Sequence, residues 1–334
     1  MHAAQKLCEG GAQRGSEAPR RGNGRVVLLA ERGEREPAPA TPAAALERAT
    51  GRRCGVLFQP IVVREPDGEG QCRWRYAGAE ALLRAESGKG LSVRPDQLLP
   101  LIERAGMLPT LFDFVLGETL AALGRWQRAG AGRFGAAVNV HASALLDERL
   151  PDALGALLSV AGVEPGRLTL EISESAPISD LRRAARTLRR VRALGVRVAL
   201  DDFGAGFSTA TRLAWLECDE LKIDRALVHG LEYCDEQRCV VENLVALAHA
   251  HGMAALAEGV ETEAALEILS ELGCDRAQGY LIARPMAVEE LSARARDWHG
   301  ADGITVAARH RQLPLPGFGQ TVAWWTGGEL DAIA

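Results

Sequence analysis

The chain has 334 residues, 47% of them hydrophobic, and a formal net charge of −5. That is enough apolar material for one large domain or two ordinary ones, and with aromatics at 5% the core must be built mainly from Leu, Val and Ala. Charges of both signs run along the whole chain without the basic stripe of a DNA- or RNA-binding surface, and no run of about 18 apolar residues offers a membrane span.

Residues 1–50 are rich in Ala, Gly, Arg, Glu and Pro. They open without the apolar h-region of a secretory signal. The run Glu36-Pro37-Ala38-Pro39-Ala40-Thr41-Pro42 has linker composition, and residues 26–30 form one short apolar island. A mostly disordered tail is expected here. The seven cysteines are odd in number and scattered. None has zinc or C-x-x-C spacing, so they read as reduced thiols of a cytoplasmic protein.

Strands are predicted over residues 54–63 and 74–83, with a turn at 66–70 between them. Apolar periodicity predicts helices over 95–105 and 110–128. Strands then follow at 135–140, 167–172, 196–201, 220–223, 254–257 and 275–280. Helices at 180–194, 208–215, 235–251 and 262–273 separate the later ones. Such alternation implies a parallel sheet with helices outside. An open doubly wound sheet and a closed (β/α)8 barrel both fit, and strand number and length favour the barrel. No G-x-G-x-x-G follows the first strand, against a dinucleotide-binding fold.

The most informative residues are Asp201 and Asp202, which end the apolar run Val196-Arg197-Val198-Ala199-Leu200. Two adjacent carboxylates at a buried strand tip repel each other and lose hydration. They persist where a cation sits between them or a partner neutralises them; the plainer alternative is a polar strand end with a helix cap. Other strand ends weigh in. Asn139 and Glu171 end two strands and Lys222 a third. Glu258 follows the next, Gln278 lies in the last, and Glu80 lies in the 74–83 strand. In a barrel these ends converge on one mouth, where active sites are built. The donors are oxygen-only, which favours Mg²⁺ or Mn²⁺ over Zn²⁺. Several carboxylates suffice for two such ions, and two metals with a lysine suit phosphodiester cleavage.

The segment Glu80-Ala81-Leu82-Leu83-Arg84 resembles the signature of EAL-domain cyclic di-GMP phosphodiesterases. So do Phe58-Gln59-Pro60-Ile61, Val138-Asn139-Val140, Leu170-Glu171-Ile172-Ser173-Glu174-Ser175, Asp201-Asp202-Phe203-Gly204, Leu221-Lys222-Ile223-Asp224, Ala257-Glu258-Gly259-Val260-Glu261 and Gln278-Gly279-Tyr280. The resemblance covers residues 52–295 and implies a TIM-like (β/α)8 barrel whose first strand runs antiparallel. It implies an EAL domain over residues 51–298, preceded by the tail and followed by an extension over 299–334. That extension holds a Pro314-Leu315-Pro316-Gly317 break and the pair Trp324-Trp325, which is expected to pack.

The resemblance also implies roles. Glu80, Asn139, Glu171 and Asp201 hold one metal, which is Mg²⁺ or Mn²⁺. Asp201 bridges to a second ion, which Asp202 and Glu258 help to bind. Lys222 contacts the attacking water, and Glu258 is also the candidate general base. Glu261 and Gln278 complete the hydrogen-bonded shell. Glu174 anchors the loop 203–208, where Gly204 and Gly206 permit unusual backbone angles. Gln59 and Arg84 contact the dinucleotide. The implied reaction is metal-dependent hydrolysis of cyclic di-GMP to linear pGpG; the alternative is an inactive EAL-like receptor or protein-interaction module. A homodimer is expected from resemblance only, and a regulatory partner is not specified. Ala85, His141 and Phe207 depart from the family's frequent Trp, Ser and Tyr. Ala85 is expected to loosen packing beside the substrate, and His141 to fill space.

Overall fold

The computed structural model describes residues 41–66, 72–86, 92–93, 95–130, 133–174, 177–204, 213, 215–297 and 304–305. The tail over 1–40, the turn at 67–70, loop residues 205–208 with Gly206, most of the helix expected at 208–215, and the 314–317 break with Trp324-Trp325 lie outside the described residues.

Helix α1, Pro42–Thr50, takes up chain that composition assigns to the tail. Its physical reason is a cap. The Thr41 hydroxyl accepts the Ala44 N–H at 3.2 Å, and Pro42 stands in the first turn, where the missing N–H costs nothing. Leu46 then buries fully in the core. Proline reads as linker composition, but after a capping threonine it starts a helix.

Strands β1 (Arg53–Pro66) and β2 (Cys72–Glu86) form a long antiparallel hairpin in which Gln59 pairs with Glu80. Strand β3 (Ser92–Val93) and helices α2 (Pro95–Arg104) and α3 (Leu108–Arg128) follow. The alternating part then runs β4 (Gly135–Asn139), α4 (Leu150–Ala161), β5 (Leu168–Ser173), α5 (Leu181–Ala193), β6 (Arg197–Phe203) and β7 (Glu220–Ile223). It continues with α6 (Arg225–Val228), α7 (Asp235–Ala250), β8 (Ala254–Ala257), α8 (Glu263–Glu271), β9 (Arg276–Gln278) and α9 (Val288–Asp297). A last strand, β10 (Ile304–Thr305), pairs with β2.

The sheet closes. Its order is β1-β9-β8-β7-β6-β5-β4-β2, and β1 pairs back onto β2. Strand β1 is antiparallel to both neighbours, while the pairs from β2–β4 round to β8–β9 are parallel. This is the eight-stranded barrel with an antiparallel first strand, and the open doubly wound alternative is excluded.

Helix α4 lies in a stretch where the sequence reading placed no helix. Its signal was present: Leu150, Leu154 and Leu158, four apart, all face the core, and Gly162 closes the helix at φ 63°. Among the described residues no helix is long and apolar enough to cross a membrane. The six cysteines among them are free thiols. Burial pushes Cys218 and Cys274 up to about 12, so both act as inert packing groups.

Candidate active site

The parallel strands bring their C-terminal ends to one mouth, and the register aligns the side chains there. Asn139 pairs with Glu171, and Ser173 with Asp201. At the next step the ladder breaks. Leu200 pairs with Leu221 and Phe203 with Ile223, so Asp201 and Asp202 together stand opposite the single residue Lys222. This is a β-bulge. Asp202 has φ 60°, the only left-handed non-glycine among the described residues. Aspartate tolerates this region better than most residues. In a regular strand the two carboxylates would face opposite sides. Here Asp201, Asp202 and Glu258 each place an oxygen within 4.8 Å of the other two.

Lys222 is fully buried and forms the hub of the cluster. Its Nζ lies 2.7 Å from Glu258 Oε1, 2.8 Å from Asp201 Oδ1, 2.9 Å from Glu171 Oε1 and 3.7 Å from Glu80 Oε2. Burial alone would lower its pKa, but Glu171, Glu258, Glu80 and Asp201 carry it well above the usual lysine value. The carboxylates feel the converse. Burial, then Glu80, raises Glu171 well above its ordinary value, and burial raises Glu258 to about 8 despite Lys222. Burial and Asp201 also raise half-buried Asp202.

Amides hold both oxygens of Glu80 and the second oxygen of Glu171. Asn139 Nδ2 donates to Glu80 Oε1 at 3.0 Å and to Glu171 Oε2 at 3.4 Å. Gln278 Nε2 donates to Glu80 Oε2 at 2.9 Å and to Gln59 Oε1 at 3.2 Å. Gln59 Nε2 in turn donates to the Ala283 carbonyl at 3.3 Å. Gly279 lets this segment seat, since a Cβ there would lie 2.0 Å from the Val260 carbonyl oxygen. Glu174 accepts the Gly204 N–H at 3.1 Å, and Gly204 has φ 99°, a conformation suited to glycine. The carboxylate thus holds the backbone immediately after the aspartates.

The structure gathers Glu80, Asn139, Glu171, Asp201, Asp202, Lys222, Glu258, Gln278 and Gln59 into one network. Glu261 and Arg84 sit differently. Glu261 is exposed and lines the rim of the mouth cavity, of about 250 Å³, rather than joining the hydrogen-bonded shell. Arg84 shares the strand face of Glu80 and Leu82, is half-buried, and turns its Nη1 back to the Leu83 carbonyl at 2.8 Å. The sequence reading assigned no role to three further groups at the mouth. Leu82, Arg225 and Tyr280 line the cavity, and the Arg284 guanidinium stacks 4.3 Å from the centre of the Tyr280 ring. Arg225 and Tyr280 lie one and two residues past motif positions already singled out, which was the available signal. His141 caps a turn instead of entering the mouth: Ala144 N–H donates to its Nδ1 at 3.2 Å. Ala85 is buried in the core.

Five carboxylates face a single ammonium in this buried mouth. Such an excess of negative charge calls for cations, and the oxygen-only donor set fits hard divalent ions.

A family model described as "EAL domain" matches residues 43–285. The chain is 36% identical over 248 residues to the bifunctional diguanylate cyclase/cyclic di-GMP phosphodiesterase MucR of Pseudomonas aeruginosa, covering 74% of this chain and 35% of that protein. It is 34% identical over 224 residues to the cyclic di-GMP phosphodiesterase PA2567 of the same organism, covering 67% of this chain and 37% of that protein. The chain therefore spans about a third of the length of these curated relatives. Its fold is similar to a solved MucR phosphodiesterase in complex with c-di-GMP, with a TM-score of 0.65, 35% identity, and coverage of 74% of this chain and 96% of that one.

Proposed function

This chain belongs to the EAL domain family, and from that premise we propose that it hydrolyses cyclic di-GMP to linear pGpG in a metal-dependent reaction. The observation that carries the reading is the assembly of five carboxylates, three amides and one buried lysine at a single mouth. The relatives' names and the cyclic di-GMP in the MucR complex support the choice of substrate.

Glu80, Asn139, Glu171 and Asp201 would hold one ion, and Asp201, Asp202 and Glu258 a second. When bound, Mg²⁺ or Mn²⁺ supplies charge neutralisation on the phosphate oxygens and acidity for the attacking water. The chain's own groups do the rest. Lys222 keeps Glu171, Asp201 and Glu258 pointed at one centre and contacts the attacking water. Glu258 takes the water's proton as its oxygen bonds to phosphorus. The P–O3′ bond breaks, the 3′ oxygen takes a proton from solvent water and leaves as a hydroxyl, and the 5′-phosphate stays on pGpG. Gln59 and Arg84 contact the dinucleotide, and Glu174 holds the backbone after Asp202. Glu261 acts at the rim, and Gln278 keeps Glu80 oriented.

Purified protein supplied with Mg²⁺ or Mn²⁺ should convert cyclic di-GMP to pGpG, resolved from GMP by chromatography, and a chelator should stop it. Cyclic di-GMP bound tightly with metal present, yet uncleaved after long incubation, would reject hydrolysis in favour of the receptor alternative.

The two aspartates are not equivalent. Asp201 is buried, meets Lys222 at 2.8 Å and would serve both ions, whereas Asp202 is half-buried and would serve one. Asp202→Asn should fall in the roughly 10–100-fold range typical of losing one supporting partner, and Asp201→Asn should lose more than that. Steady-state kinetics of the two variants at saturating Mn²⁺ decides, and equal mild losses would contradict the ranking.

A further inference from the structure

The alternation that aims the catalytic side chains into the barrel aims others into its opposite end. Residues two apart on a strand share a face. Arg197 lies four residues before Asp201, Glu220 two before Lys222, and Arg276 two before Gln278, each the first residue of its strand. All three therefore face the barrel interior at the N-terminal ends of the strands. Small residues on neighbouring strands, Gly78, Gly135 and Ala137, leave space there, and the result is a cavity of about 490 Å³.

Its charge is lopsided. Arg75, Arg133, Arg167, Arg197 and Arg276 line it against only Glu65 and Glu220. Glu65 is taken by Arg75 at 3.2 Å. Glu220, almost fully buried, must serve two guanidiniums, Arg276 at 3.0 Å and Arg197 at 3.8 Å. Burial, then the neighbouring Arg276, pushes the Arg197 pKa below the usual arginine value, while Glu220 and Asp219 oppose the shift.

We propose that this cavity is a binding site for a phosphate-bearing anion. An anion between Arg197 and Arg276 relieves their repulsion, and guanidinium forks match phosphate oxygens bidentately. The volume falls within the range of about 300–1,000 Å³ usual for small-ligand sites. The site lies at the opposite end of the barrel from the carboxylate mouth and does not depend on the phosphodiesterase reading.

The test is isothermal titration of the full chain with inorganic phosphate and, separately, with GMP, at low salt and with a chelator present. With cations chelated, the mouth cannot hold a phosphate through bound metal, and the Arg197 and Arg133 variants assign the heat to the other end. Binding with a Kd near or below about 1 mM is expected, weakened at least about tenfold by Arg197→Gln and by Arg133→Ser. Arg133 is exposed at the rim, so its replacement leaves folding intact even if the Arg197 variant does not fold. Tighter binding of GMP than of phosphate assigns the site to a nucleoside phosphate, and equal binding assigns it to free phosphate; both support it. No binding of either probe at about ten times that concentration, or binding unaltered in both variants, overturns it.

Discussion

Glu258→Gln is expected to lower kcat by roughly 10²–10⁴, the usual value of a positioned general base. The change keeps shape and removes only the ability to hold a negative charge or take a proton. Glu258 sits 2.7 Å from Lys222 and faces Asp201 and Asp202 across the mouth. A second readout separates this role from a merely structural one. With its pKa raised to about 8 by burial, Glu258 is mostly protonated at pH 7 before cations arrive. Cation binding needs the ionised form, so Mn²⁺ must displace that proton. Affinity should therefore rise as pH rises toward 8. Titration of Mn²⁺ at pH 7 in buffers of different ionisation enthalpy should show proton release by the wild type, from Glu258 and from Glu171, which burial also raises. The glutamine variant should release fewer. Near-normal turnover in Glu258→Gln would remove it from the mechanism.

Lys222→Met should be the most damaging change to folding. The methionine fills similar space, but it leaves Glu171, Asp201 and Glu258 facing one another without the ammonium that now contacts all three within 2.9 Å. Breaking a buried ion cluster by deleting one partner costs about 3–5 kcal/mol. The sign of the pH dependence follows from linkage. With the lysine gone, the folded-state pKa values of Glu171 and Glu258, already raised by burial, stand further above their unfolded values. The folded state then holds protons that the unfolded chain releases, so stability falls as pH rises from about 4 through the folded values. Urea denaturation in chelator should show the variant closest to wild type near pH 5 and weakest near pH 8. Added Mn²⁺ should recover part of the loss by replacing the missing positive charge. Equal stability of variant and wild type at pH 8 would mean that Lys222 does not hold the cluster together.

Much of this architecture was legible in the residue order. Among the described residues, the β-strand and α-helix alternation and the polar residues near the strand ends are found in the structure. They depend on local spacing, which a chain displays directly. Helix α4 is legible in the same way, because its leucines Leu150, Leu154 and Leu158 stand at intervals of four. Helix α1 shows a real ambiguity: Thr41-Pro42 reads equally as linker or as helix start, and only a buried site for Leu46 selects the helix. Glu261 shows another. Its position in a motif resembles that of its neighbours, yet it follows the end of β8 by enough residues to reach the rim instead of the buried network.

The sequence by itself determined which groups meet at the mouth, because strand direction and two-residue alternation carry each of them to the same end of the barrel. It could not decide how Asp201 and Asp202 act together. Adjacent residues on a regular strand point to opposite faces, so alternation alone does not carry both carboxylates to the one cation expected between them. The tertiary structure places both opposite Lys222 in a bulge and turns Asp202 to φ 60°. The neighbouring strand supplies one residue where this one supplies two, and that mismatch in register brings both carboxylates together with Glu258, oxygens of all three lying within 4.8 Å of one another.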